Sequence, residues 1–526
     1  MKRSAATLVG VAITVAAAVF VPRALSESAP TCEFASLAAP EGTVIESVVT
    51  RAHEAGTFEV PTAKPGKGYQ VPDVRAYCQV TVTLAHPGAG DHVKADVWLP
   101  NAGWNGRLQA LGGAAFSAGN DGGALALAVK DGYAAATTDA GVGERFDTRW
   151  ALRPNGTVDT ELLRNFGSRS QHDLAVLSKN LILSFYGKAV SYSYWRGCST
   201  GGRQGYAAAQ QHPGDYNGIL ANSPAISWNQ FQLAGLWPQV VMNEAHTYPS
   251  KCVFAAVNRA VVSACDARDG AVDGLVSDLA RCDFDPRTLV GTSVLCEGKS
   301  VTITEADAEV VRRIWDGPRD ASGKRLWAGL PVGADFAYLA ETKGDHGSPF
   351  VIPARWVSYF LKKDPKFDVA TLTSAQLVEL FTDATEFDSI IGSDNPDLSR
   401  FAQAGGKLLT VHEEWDQLVF PHGTIEYREK VEAKLGARVD DFYRVFVAPS
   451  SSHCALGTKT PDFAALVDWV EKGKAPDTLR AELTNVDGKP VQRNLCRYPT
   501  ISHYPGHGSL TDPNSFTCVA PSVSGG

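Results

Sequence analysis

Compact apolar runs of strand length alternate with amphipathic stretches of helical length along two parts of this chain. Val93–Leu99, Leu108–Leu111, Tyr133–Thr138 and Val190–Trp195 are runs of the first kind. Short runs with little polar face predict strands covered on both sides, as in a parallel sheet. Gln171–Tyr186 has its apolar residues at helical spacing, and Gly202–Gln211 is Ala-rich, so both predict helices. The alternation resumes near Phe401, with strands predicted over Lys407–His412 and Phe442–Val447. Strand–helix alternation predicts an α/β fold. Residues 223–394 break the pattern with aromatics, cysteines and irregular polar loops. The expected organisation is one α/β unit built from 27–222 and 395–526, with 223–394 inserted as a lid domain.

The N-terminus changes the picture of where the protein works. Met1-Lys2-Arg3 precedes an uncharged apolar run, Ala5–Val21, then Pro22 and Ala24-Leu25-Ser26. This order predicts a secretory signal peptide over residues 1–26, and hence an extracellular or periplasmic protein. An uncleaved anchor is the alternative, since the run nears the shortest spanning length. No second run is long and apolar enough to cross a membrane. The formal net charge of −8, with no Lys/Arg cluster, argues against a nucleic-acid partner. The sequence has no dinucleotide fingerprint, no P-loop and no H-E-x-x-H, so no organic cofactor is expected.

Gly197-Cys198-Ser199-Thr200-Gly201 reads G-x-S-x-G between the predicted strand 190–195 and the predicted helix 202–211. Strand, sharp turn and helix are the context of a nucleophile elbow, which holds a serine Oγ exposed above the sheet of an α/β-hydrolase. A serine hydroxyl needs a base, and the base needs an orienting acid. In such folds the acid and then the histidine follow in chain order. Asp416 lies in the turn after one predicted strand and His453 in the loop after the other, where α/β folds place their sites. Glu413, Glu414, Asp383 and Asp388 compete for the acid, and His412 and His422 for the base.

Two cysteines sharpen the choice. Cys198 directly precedes Ser199 and Cys454 directly follows His453. If serine and histidine meet, the cysteines are brought close too. A bridge between them would restrict the unfolded chain by roughly 5 kcal/mol in the chain-entropy model.

Cys-Ser, then Asp, then His-Cys, at these separations, resembles the tannase and feruloyl esterase family of secreted α/β-hydrolases, which also contains the mono(2-hydroxyethyl) terephthalate hydrolases. The likeness runs from about Cys32 to Cys518. Trp104-Asn105-Gly106-Arg107 leading into Leu111-Gly112-Gly113 supports it, as do Gly197–Arg203 and Tyr216–Pro224. The resemblance implies Ser199 as nucleophile, His453 as general base and acid, Asp416 as the orienting acid, and a Cys198–Cys454 bridge. It further implies Cys32–Cys78, Cys265–Cys282 and Cys496–Cys518. Cys252 and Cys296 remain and are paired by elimination. The chain departs from the family in having no cysteine near Val301–Ile303.

The oxyanion hole is expected from the Thr200 amide and from the loop Gly112-Gly113-Ala114-Ala115, with Gly113 or Ala114 as second donor. A further motif lies in the insertion, where Asp266, Asp269 and Asp273 fall within eight residues beside Gly270 and Gly274. These carboxylates, with the Ala271 and Leu275 carbonyls, suit a hard cation, but the spacing equally fits a solvated acidic loop and is not an EF-hand. The resemblance implies calcium there, in a structural role. The expected activity is hydrolysis of esters of aromatic acids, feruloyl-esterase-like. Tannase or terephthalate monoester hydrolase activity is the alternative, or a catalytically silent binding protein. Trp356, Leu418 and Val419 are the candidate substrate contacts, with Tyr359 and Phe360 as further aromatic walls and Arg355 as a partner for a free carboxylate; the three aromatics fit the core of the lid equally well, and core is the favoured reading for any one of them.

Overall fold

The computed structural model describes residues 31–34, 36–60, 68–119, 122–457 and 459–521. The expected signal peptide, 1–26, lies outside the described residues. Nine strands form one central sheet: β1 (Val44–His53), β2 (Tyr77–Ala85), β3 (Val93–Pro100), β4 (Arg107–Leu111), β5 (Ala134–Thr138), β6 (Tyr192–Cys198), β7 (Gly218–Asn222), β8 (Lys407–Glu413) and β9 (Tyr443–Ala448). Their spatial order is β1-β2-β3-β5-β4-β6-β7-β8-β9. The β1–β2, β2–β3 and β3–β5 pairs are antiparallel. From β5 through β4 to β9 every pairing is parallel. This is the α/β-hydrolase core.

The parallel strands are buried on both faces because helices cover them. β5 is Ala-Ala-Ala-Thr-Thr, and all five residues are buried. Small side chains there let the flanking helices approach the sheet closely. Helix α1 (Ser170–Tyr186) packs its leucines into this core, and helix α2 (Thr200–Gln211) leaves directly from the tip of β6. Among the described residues, the ten cysteines pair as Cys32–Cys78, Cys198–Cys454, Cys252–Cys296, Cys265–Cys282 and Cys496–Cys518.

The chain between β7 and β8 adds no strand to the central sheet. Its long helices are α3 (Trp228–Ala245), α4 (Lys251–Cys265) and α5 (Glu305–Asp316). They build a second apolar core around Val240, Val241, Phe254, Val310 and Ile314. Trp228, Phe231, Leu339 and Phe350 of this segment line one cleft together with Ser199 and His453, which follow the carboxyl ends of β6 and β9.

Candidate active site

Ser199 occupies the turn between β6 and α2, with φ 61° and ψ −121°. The strain of the elbow therefore sits on the serine itself, since neither Gly197 nor Gly201 has a positive φ. Those glycines serve close approach instead. A Cβ on Gly197 would lie 2.4 Å from the Gly201 carbonyl carbon, and one on Gly112 would lie 2.5 Å from Gly201 Cα. Any side chain at these positions would push the elbow away from the β4 loop. Strained backbone of this kind persists only where its surroundings hold it. Here the Ser199 N–H donates to Asn222 O at 3.0 Å, and the Ser199 carbonyl accepts from the amides of Arg203 and Ala225.

Asp416 and His453 meet although they lie on different loops. His453 Nδ1 donates to Asp416 Oδ2 at 2.6 Å. The other Asp416 oxygen accepts the backbone amides of Leu418 (2.9 Å) and Val419 (2.8 Å). Asp416 is fully buried. Burial alone would raise its pKa, but the charge and hydrogen bonds of His453 and His412 hold it well below the usual carboxylate range. For His453, burial alone would lower the pKa, yet Asp416 and then Glu413 raise it above the ordinary histidine value. The His453 amide donates to Gln417 Oε1 at 3.1 Å, which fixes the loop. Cys198 and Cys454 are bridged (S–S 1.94 Å), joining the residue before the serine to the residue after the histidine.

Ser199, Thr200 and His453 line one cleft of about 40 Å³ together with Ala115, Trp228, Phe231, Leu418 and Val419. Two expectations fail here. The Gly113 amide cannot serve an oxyanion, because it donates to Gln204 Oε1 at 3.0 Å. The Ala114 carbonyl accepts the Ser117 amide at 3.0 Å, which leaves the Ala114 N–H uncommitted, and Ala115 borders the cleft with φ 52°. Trp356 does not border the cleft either. It is fully buried, its indole N–H donates to Asn229 Oδ1 at 2.9 Å, and it packs edge-to-face behind Trp228 at 5.8 Å. Phe360 stacks on it at 4.2 Å. These rings are core because they pack the insertion against Phe116, Ala140 and Phe166 of the α/β unit. Arg355 also lies off the cleft.

The motif reading passed over three supports. Gln204 grips the β4 loop through Gly113 N–H and through Ala118 O, to which its amide donates at 3.1 Å. The Thr200 hydroxyl donates to Ala115 O at 2.6 Å. Residues 200 and 204 share one helix face, the i and i+4 signal that would have found them. His412 is the third, considered in the sequence only as a rival base. Its Nε2 donates to Val419 O at 2.8 Å and lies 3.2 Å from Asp416 Oδ2, while Nδ1 accepts from the Thr424 hydroxyl at 2.8 Å.

Of the rival acids, Glu413 is buried and Glu414 is half-buried, with its Oε2 shut off from solvent. Glu413 accepts the Ser223 hydroxyl, and burial raises its pKa. Glu414 is pushed up to about 8, first by burial and then by Asp278 and Asp269, and its Oε2 has no partner. A carboxyl with a raised folded pKa stabilises fully below its unfolded value, and that stability is lost as pH rises through the folded value. Glu414→Gln is therefore expected to stabilise the protein at pH 9 by on the order of 4 kcal/mol and to change little at pH 5. Melting curves of both proteins at the two pH values check this. An equal shift at both would contradict it.

In the acidic loop, Asp266 accepts the amides of Asp273 (3.3 Å) and Gly274 (3.0 Å). Asp269 Oδ1 accepts the Ala271 amide at 3.0 Å, while its Oδ2 is buried without a partner. Burial pushes Asp269 up to about 6. Arg493 pairs with Asp273. The donor set, all oxygen with one buried acceptor unspent, fits a hard cation.

The chain matches the family model described as tannase and feruloyl esterase over residues 78–519. It is 43% identical to a probable feruloyl esterase of Arthroderma benhamiae, covering 96% of each chain. It is 31% identical to feruloyl esterase B of Aspergillus niger, over 84% of this chain and 86% of the relative. In structure it resembles a tannin acyl hydrolase from Aspergillus niger (TM-score 0.81, 25% identity, 92% and 93% coverage). It also resembles feruloyl esterase B from Aspergillus oryzae (TM-score 0.78, 25% identity, 92% and 98% coverage). A family match over most of the chain and a likeness along its full length coincide with the Ser199 elbow and the Asp416–His453 pair: the chain belongs to the tannase and feruloyl esterase family and is a carboxylic ester hydrolase.

Proposed function

We propose that the protein is a secreted serine esterase that releases aromatic acids of the hydroxycinnamate type from their esters. The observation that carries this reading is one apolar cleft onto which the strained Ser199 and the Asp416-bound His453 both open. With Nδ1–H committed to Asp416, His453 keeps Nε2 unprotonated, 3.6 Å from the sulfur of Cys454, which is bridged to the residue before Ser199. It takes the Ser199 proton as Oγ attacks the ester carbonyl. The Thr200 amide and one amide of the Ala114-Ala115 pair receive the oxyanion, each worth roughly 3 kcal/mol in comparable sites. His453 then protonates the leaving alcohol, and water repeats the sequence on the acyl-enzyme.

The cleft supports an aromatic acid and disfavours a charged one. Trp228, Phe231, Leu339 and Phe350 supply flat and aliphatic walls, and among the described residues no Lys or Arg lines it. A free carboxylate, as on a terephthalate monoester, would have no ionic partner there. The Trp228 indole N–H and the Gln232 amide N are buried without partners on α3. They suit a substrate bearing acceptor oxygens, since an unpaired buried donor is costly. Residues 223–394 act as the lid that supplies these walls and excludes water. The cleft is narrow, and its 40 Å³ holds only a few waters. Five disulfides accord with export to an oxidising compartment. Turnover of methyl ferulate, methyl gallate, chlorogenic acid and a terephthalate monoester tests the reading. The expected order puts a hydroxycinnamate ester first. Preference for the terephthalate monoester, or no turnover of any ester, would overturn it.

Calcium is proposed for the loop held by the Cys265–Cys282 bridge. Asp266, Asp269 and Asp273 would give carboxylates, and Ala271 and Leu275 carbonyls. The ion would neutralise clustered like charges and take no part in the ester chemistry. Removal with EGTA is expected to lower the melting temperature by several degrees, with recovery on adding Ca²⁺ but not Na⁺. An unchanged melt would exclude the site.

A further inference from the structure

We infer that the protein carries a second metal site, for a zinc-type divalent ion, formed by His172, His212 and Asp215 at the end of the elbow helix remote from Ser199. His172 lies in the first turn of α1, His212 caps the C-terminus of α2, and Asp215 lies in the loop leading to β7. Each offers one ligand atom, and these three atoms all lie within 4.8 Å of one another. Among the described residues, no other set of three His, Cys, Asp or Glu side chains meets in this way.

The geometry is held by the backbone. The His212 amide donates to Ala208 O at 2.9 Å, and the Asp215 amide to His212 O at 3.0 Å. The Asp215 carbonyl accepts Lys179 Nζ at 2.6 Å and the Ser193 hydroxyl at 2.8 Å. Lys179 thus docks on a carbonyl oxygen and leaves the carboxylate to the histidines. The Asp215 carboxylate is buried, with 9% of its side chain exposed, while His172 is 38% exposed and gives an ion a way in. His172 Nδ1 stands 2.9 Å from Asp215 Oδ2, and the two imidazoles lie face to face with centroids 4.0 Å apart.

Two imidazoles and one carboxylate form a borderline donor set that suits Zn²⁺ better than Ca²⁺ or Mg²⁺. Tetrahedral zinc, with bonds of about 2.0–2.1 Å, sets its ligands roughly 3.3 Å apart. The two imidazoles now lie nearly parallel, at 14°, so closing the site requires them to turn until both ring planes contain the ion. The ion takes the place of the hydrogen-bonded proton between Nδ1 and Oδ2, and His172 keeps its remaining proton on Nε2. Three protein ligands leave a fourth position for water. The ion would clip the start of α1 to the end of α2 and to the β7 loop, and so brace from behind the helix that begins directly after the nucleophile. It is a structural clip, far from the ester chemistry.

The test uses the full protein without a polyhistidine tag, in excess Ca²⁺ so that the acidic loop does not compete. Equilibrium dialysis against Zn²⁺ is expected to give one ion per chain with micromolar affinity and a higher melting temperature. His212→Gln should weaken binding at least tenfold, and His172→Gln with His212→Gln should abolish it. Neither should change ester turnover, since these half-buried side chains lie outside the cleft. X-ray absorption on the zinc-loaded parent protein gives a readout that needs no variant, and imidazole scattering is expected. Absence of saturable binding, binding unchanged in the double variant, or a zinc shell without imidazole would each overturn the assignment.

Discussion

Ser199→Ala lowers kcat for ester hydrolysis by about 10⁵–10⁶-fold, as nucleophile removal does in serine hydrolases, while substrate affinity stays within a few-fold. The variant keeps its fold. Alanine bears the same Cβ, so the elbow at φ 61° is no more strained than before, and the backbone hydrogen bonds to Asn222, Arg203 and Ala225 are untouched. The cleft walls also remain. Steady-state kinetics on a soluble ester, with mass spectrometry for an acyl adduct on the parent protein alone, read the effect. More than one per cent of parental turnover in the variant, or an adduct elsewhere, would remove Ser199 from its role.

Asp416→Asn comes next, at about 10⁴-fold in kcat with little change in KM. Triad enzymes lose this much when the acid becomes an amide and the histidine is left in the wrong tautomer. The contacts of Asp416 explain why. One oxygen is committed to the Leu418 and Val419 amides, so an asparagine must keep its carbonyl there and turn its NH₂ towards His453. His453 then accepts at Nδ1 and carries its proton on Nε2, where it cannot receive one from serine. The pH profile adds a second signature. Asp416 raises the pKa of His453, so parental activity falls on the acid side as the imidazole protonates, with its midpoint above the ordinary histidine value. In the variant the midpoint of the residual activity moves to lower pH. An unmoved acid limb would contradict the pairing.

Much of the core was legible in the chain. The runs at Val93–Leu99, Leu108–Leu111, Lys407–His412 and Phe442–Val447 became strands within a residue or two. They were readable because a strand buried on both faces must be apolar throughout, and that requirement is local. Ser199 was readable for a similar reason, since an elbow demands glycines at set spacing around one exposed hydroxyl. The two long antiparallel strands at the sheet edge, Val44–His53 and Tyr77–Ala85, went unread. β1 is almost wholly exposed and has no apolar run to betray it.

The substrate wall was the least legible part. Trp356 and Trp228 look alike in sequence and share one buried cluster, yet only Trp228 also borders the cleft. Composition cannot separate them, because an aromatic side chain satisfies either place equally well.

By itself the amino-acid sequence determined the fold class, the serine and the short menu of acids and histidines, since each follows from local pattern or from residue type at fixed spacing. Tertiary structure alone decided that Asp416 rather than Glu413 or Glu414 meets His453. It also decided that Gly113 spends its amide on Gln204, and that His172, His212 and Asp215 share one point. Those outcomes depend on which loops the sheet brings to the same edge and on hydrogen bonds between residues remote in the chain, and neither leaves a mark on the residues around them.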